Sequence, residues 1–193
     1  MKRRVGFLVL VATVLALLLT GLFAGTAAFG SVEEPEEPEM PDVGVTFVAV
    51  SGIAGEPHVV LLEGSGVIEG DEVEAMGAFT HFFAEGPAPH PIVDSGTWEA
   101  TELVSFSILG TFGAHAAGTL VMDVIVTRSD GSQVPATMIV NCNIEAAGLD
   151  TGMPEGVTIM AEGAVFEPLG GATLFSMPAD PAEPEEPEEP EDL

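Results

Sequence analysis

The sequence predicts an all-β protein, a single antiparallel barrel of about eight strands in mostly meander order. Three observations carry that expectation. Apolar residues recur with a period of two through much of the region from Val43 to Met177, and no helical period persists there. Glycine, proline, Asp and Ser punctuate these runs at short intervals, as turns between strands require. Nothing between the runs reads as a crossover helix, so neighbours in sequence are expected as neighbours in the sheet. A two-sheet β-sandwich is the alternative; long strands bent by glycine favour closure into a barrel.

The first strand is expected from Val43, with Val45, Phe47 and Ala49 on the same face. His58 to Glu69 reads as the second, apolar on both sides at first and then broken by Gly64 and Gly66, a bulge or bend. Gly70-Asp71 turns the chain into a third strand, Glu72 to Phe83. The proline-rich loop GPAPHP at 86–91 leads to a fourth, Thr97 to Ile108, and GTFGAHAAG at 110–118 reads as a glycine-rich connection. Val157 to Phe166 and Ala172 to Ser176 are read as the last two strands.

Between them lies the clearest strand signal, GTLVMDVIVTRSDGSQVPATMIVNCNI, residues 118–144. It reads as two strands turned back at Ser129-Asp130-Gly131. A two-residue Asp-Gly turn would set Val124 on a face with Thr137 and Asp123 with Met138. A three-residue loop with Gly131 as the left-handed residue of a bulge instead opposes Val126 to Val134, Val124 to Ala136, Met122 to Met138 and Leu120 to Val140. Only the second gathers one apolar face, and a slip by one residue would turn that face outward. Pro135 cannot donate to a ladder and marks a local edge or bulge.

The ends differ in kind. Lys2, Arg3 and Arg4 precede an uncharged, mostly apolar run from Val5 to about Phe23, followed by the small residues AGTAAFGS. This is the pattern of a secretory signal peptide over 1–30, with cleavage expected after Ala28 or Gly30. An uncleaved N-terminal membrane anchor is the alternative, since the run approaches the ~20 residues that span a bilayer. Residues 31–42 and 178–193 are Glu/Pro-rich, and their repelling carboxylates and missing apolar side chains predict disordered, extended spacers.

Charge narrows the partners. Of 31 acids, six lie between Glu33 and Asp42 and eight between Asp180 and Asp192; the other seventeen face a single cationic side chain, Arg128, in the predicted domain 43–177. Nucleic acid is excluded, because binding needs Lys and Arg to displace phosphate counterions. An anionic membrane surface is excluded likewise. Cations, a small apolar ligand or a salt-rich setting that screens self-repulsion remain. The lone cysteine, Cys142, gives no disulfide framework and reads as a small buried hydrophobe, since it alternates with Met138 and Val140.

Candidate chemistry is sparse. Glu102 falls among the even positions Trp98, Ala100, Val104, Phe106 and Ile108, where a buried carboxylate would need a partner; Arg128 is the one to hand, a cavity-lining acid is the alternative, and a bulge that turns Glu102 outward is the third. His81 shares a face with Val73, Ala75, Phe79 and Phe83. Glu102 and His81 are therefore the candidate acid and base of a catalytic reading. Trp98, Phe79, Phe83 and Phe106 are the candidate lining of an apolar pocket, or equally a packed core. No histidine spacing signals a metal; were a site present, His81, His90 and His115 would be its set. No cofactor is implied. The sequence thus reads as an exported, non-enzymatic β-domain, structural or ligand-binding; the alternative is a small barrel enzyme acting on an apolar or lipid-like molecule in the lumen.

Overall fold

A computed structural model of the chain describes residues 42–178. The signal-peptide, spacer and tail expectations fall outside them, apart from the edge residues Asp42 and Pro178. Eight strands close into an antiparallel barrel: β1 (Val43–Gly52), β2 (His58–Glu69), β3 (Glu72–Phe83), β4 (Ile92–Phe112), β5 (His115–Arg128), β6 (Gln133–Cys142), β7 (Gly156–Ala161) and β8 (Ala164–Ser176). Each strand pairs with its sequence neighbour and β1 pairs with β8, so the order is a meander and no sheet edge is left open along the closed seam.

The β5–β6 hairpin has the three-residue loop. The Arg128 amide donates to the Ser132 carbonyl, the Gly131 amide donates to the Arg128 carbonyl, and Gly131 sits at φ 83°. Val126 opposes Val134, Met122 opposes Met138 and Leu120 opposes Val140, and all six are buried. Pro135 lies just beyond the end of the β6–β7 ladder, which begins at Ala136 opposite Ala161. It thus occupies a local edge, where its missing N–H leaves no ladder bond unmade.

Two expectations about elements are corrected. Val157–Phe166 is not one strand: Glu162-Gly163, both at positive φ (51° and 82°), turn the chain between β7 and β8. Two consecutive left-handed residues make the hairpin turn that matches strand twist, with a Glu in the place that Asn more often fills. The glycine-rich stretch 110–118 is not a loop either. Its residues complete β4 and open β5, and only Gly113-Ala114 turn. Glycine here permits close strand approach: a Cβ on Gly118 would overlap the Ser107 carbonyl oxygen.

β4 has a further irregularity. Its ladder with β5 slips at three places, between Ala100 and Glu102, between Leu103 and Ser105, and between Ile108 and Gly110. Each slip adds one residue and reverses the facing of the residues after it. The inward sequence therefore runs Trp98, Ala100, Leu103, Phe106, Ile108, all buried or packed on the core, while Val104 and Glu102 are exposed. At the first bulge Thr101 is the extra residue, and its hydroxyl donates to the Asp123 carbonyl.

Inside, Trp98 spans the barrel. Its ring stacks on Phe47 (centroids 5.6 Å apart, planes 12° apart) and its Nε1–H donates to the Glu63 carbonyl at 3.1 Å. The indole lies against strands β2 and β3 where they carry no side chain. A Cβ built on Gly64 would overlap its six-membered ring, and one on Gly77 would stand 2.7 Å from Nε1. Gly64 and Gly77 are opposed in the β2–β3 ladder, so two facing glycines form one notch. Below this level Phe106 meets Phe175 edge-on and the interior is filled; above it the barrel stays open.

Gly64→Ala should destabilise the fold by ~1–3 kcal/mol, as overpacking of a filled core does. Thermal unfolding followed by circular dichroism would measure it. An unchanged midpoint would show that the notch is not needed.

Candidate functional site

The meander brings four connections to one end of the barrel: β1–β2, β3–β4, β5–β6 and β7–β8. There the interior opens as a cavity of about 370 Å³, within the usual 300–1,000 Å³ of small-molecule pockets. Its floor and walls are apolar, with Trp98, Leu62, Phe79, Met138 and Ile159 among them. Its rim is polar and carries Glu56, His58, His81, Asp94, Arg128 and Glu162.

Register explains the histidine pair. The two-residue Gly70-Asp71 turn opposes Val60 to His81 and His58 to Phe83. His58 and Val60 point to the same face, so the two imidazoles are diagonal neighbours. His58 Nδ1 and His81 Nε2 are 2.9 Å apart, in a hydrogen bond that needs one ring to donate and the other to accept. When both rings are neutral, the remaining nitrogens are therefore unlike: the donor ring keeps a lone pair and the acceptor ring an N–H. Phe83 stands edge-on to His58 and Phe166 edge-on to His81, which holds both planes. Burial, above all, pushes the His81 pKa below the ordinary 6.5; His58 and Arg128 lower it further, and only Asp94, its cross-strand neighbour, opposes them.

Arg128 ends β5 at the rim. Its Nε lies 3.5 Å from Asp94 Oδ2, and Nη2 donates to Glu162 Oε2 across the mouth. Asp94 is itself fixed, its Oδ1 accepting from the Ser95 amide at 2.8 Å and the Ser129 hydroxyl at 2.9 Å. The Arg128 side chain is about a third exposed, so each ion pair contributes ~1 kcal/mol at most. Their effect is positional: one guanidinium joins the β4 start, the β5 end and the β7–β8 turn.

Of the residues singled out from sequence, His81, Trp98 and Phe79 line the cavity. Phe83 packs on His58 instead, and Phe106 lies in the filled half against Phe175. For Glu102 the buried readings, paired with Arg128 or lining the cavity, are corrected, and the outward bulge is what the structure has. The bulge at Thr101 turns it to the exposed outer face opposite Asp123, and Arg128 pairs with Asp94 and Glu162 rather than with it. His81 opposes Asp94, eight residues before Glu102 on β4, roughly 26 Å of strand at ~3.3 Å per residue. The two cannot act as acid and base on one molecule. His115, at the start of β5, is at the opposite end from His81, and the His81, His90 and His115 set does not converge. Among the described residues no three His, Cys, Asp or Glu are grouped to hold a metal. Cys142 is buried, its thiol donates to the Thr173 carbonyl at 3.3 Å, and burial pushes its pKa up.

Sequence reasoning passed over His58, Glu56, Asp94 and Glu162. Counting back from the Gly70-Asp71 turn would have set His58 beside His81. Asp94 meets Arg128 as its diagonal neighbour in the β4–β5 ladder, where Gly96 opposes Arg128, and Glu162 comes within reach through the consecutive β5–β6–β7 pairings. No family model matches the chain, and no curated protein or solved structure matches it.

The depressed His81 pKa has a definite sign. Above pH 6.5 neither folded nor unfolded His81 is charged and its share of stability is complete. As pH falls below 6.5 the unfolded chain takes the proton first, so that share declines until pH passes the folded value. Histidine NMR titration should place the His81 midpoint below 6.5. His81→Phe should flatten the stability loss that sets in as pH falls below 6.5; an unchanged slope would refute the assignment.

Proposed function

We propose that this protein is an exported, non-enzymatic binding module that holds a small molecule in the open mouth of its barrel. The molecule would have an apolar body, seated on Trp98, Leu62 and Met138, and a polar group at the His58–His81 rim. The cavity carries the reading: about 370 Å³ left open above a filled half-barrel, apolar below and ringed by hydrogen-bonding groups above. A cavity of that volume suits a small molecule. A purely structural domain would gain by filling the space, since close packing is the general rule of protein interiors. The N-terminal pattern supports export, and the acidity of the chain supports a partner other than nucleic acid.

A barrel enzyme acting on the same class of molecule is the competing reading. The His58–His81 pair is what favours it, since an imidazole with a depressed pKa inside a cavity can accept a proton.

Native mass spectrometry of the protein from its own host tests both parts. The chain is expected to begin at Phe29 or Ser31 and to carry one small molecule at unit stoichiometry. Ala161→Phe, which fills the mouth from the β7–β8 hairpin, should lose that molecule while keeping the barrel. A clean apo mass for the unmodified protein would overturn the binding reading, and an intact N-terminus would overturn cleavage. Conversion of the captured molecule on incubation would favour the enzyme.

A further inference from the structure

The rim of the cavity selects by charge. Three carboxylates, Glu56, Asp94 and Glu162, stand around it against one guanidinium. Arg128 is held between Asp94 and Glu162, so its charge is already answered from two sides. One carboxylate of that trio is left in excess, and Glu56, exposed on the β1–β2 connection, adds another. The wider field has the same sign, with seventeen acids against Arg128 between Val43 and Met177. Low-dielectric walls focus such a field into a cleft.

The imidazole pair works in the same direction. With both rings neutral the pair, which lines the cavity, keeps one lone pair and one N–H that it does not use internally. An ammonium can donate to the lone pair and sit among the carboxylates. A carboxylate ligand could use only the N–H, and would meet two uncompensated negative charges. Beneath the rim the walls are apolar for the length of the open half-barrel.

Resting on the binding-module reading above, we propose that the ligand is a small organic cation, a hydrophobic amine, with its apolar part on Trp98 and its ammonium at the rim formed by His58, Glu56 and Glu162. Discrimination against anionic amphiphiles of the same shape follows from the same groups, since specificity is a difference of affinities and repulsion supplies part of it.

The chain carries its own reporter. Trp98 is its only tryptophan and it has no tyrosine, so emission excited in the indole band comes from the cavity floor alone. Three probes with one eight-carbon body separate the terms: octylamine, 1-octanol and octanoate, titrated into the purified protein at pH 7.5 and low salt. Octylamine should bind at least tenfold more tightly than octanoate, with octanol between them. In 1 M salt the gap should narrow, because the Debye length falls to ~3 Å. Glu56→Gln, a change on an exposed connection away from the ladders, should reduce the preference for the amine and leave octanol affinity unchanged. Equal affinities, or tighter binding of octanoate, would overturn the charge selection while leaving the cavity reading in place. Failure of all three to perturb Trp98 would overturn the cavity reading and this inference with it.

Discussion

The indole of Trp98 in its glycine notch is the contact on which the interior depends. A barrel of eight strands has an interior that side chains can just fill, or that can be left open for one small ligand. Here both happen in one molecule, and Trp98 marks the border. Gly64 and Gly77 surrender their side chains on facing strands so that a single large ring from β4 can reach across. Phe47 closes it from β1 by stacking, and the Glu63 carbonyl satisfies the one polar atom it buries. On one side of that ring lie Phe106, Phe175 and Leu120; on the other, space.

The open half differs chemically from the filled half because of where strands end. Antiparallel order returns every second connection to the same rim, and those connections can carry charge that the ladders cannot bury. Arg128 is then met from two sides by Asp94 and Glu162, both far from it in sequence. The arrangement contributes little to stability, since the pairs are partly solvated. It does fix the width of the mouth, because one guanidinium bonds to both the β4 start and the β7–β8 turn.

Much of this was legible in the residues, and the failures share one cause. Period-two patterning identified the strands, and the choice of a three-residue loop at Ser129-Asp130-Gly131 set the β5–β6 register as observed. Trp98, Phe79 and His81 face the cavity, on the sides that strand parity gives them. Glu102 falls inward by parity only if the strand is unbroken, so parity could not choose between a buried acid and an outward bulge. The bulge at Thr101 involves no glycine, and nothing in TWEATELVSFSI marks it. The turn at Glu162-Gly163 was missed because a glutamate at positive φ is an uncommon turn former. Asp94, Glu56 and Glu162 were illegible for a different reason: Asp94 depends on the β4–β5 register and Glu56 meets Glu162 where β1 closes onto β8, and single-strand periodicity carries no information about pairing between strands.

The scarcity of basic residues has a consequence for how the barrel can be taken apart. A protease that cuts after Lys or Arg finds a single bond among the described residues, Arg128–Ser129, at the tip of the β5–β6 hairpin. The side chain it must grip is already held by two carboxylates. A cut there would leave a five-strand piece and a three-strand piece joined along β5 against β6 and β8 against β1, with a short further pairing of β5 to β8. The place where such a protease would divide the barrel is thus set by the one basic side chain among the described residues.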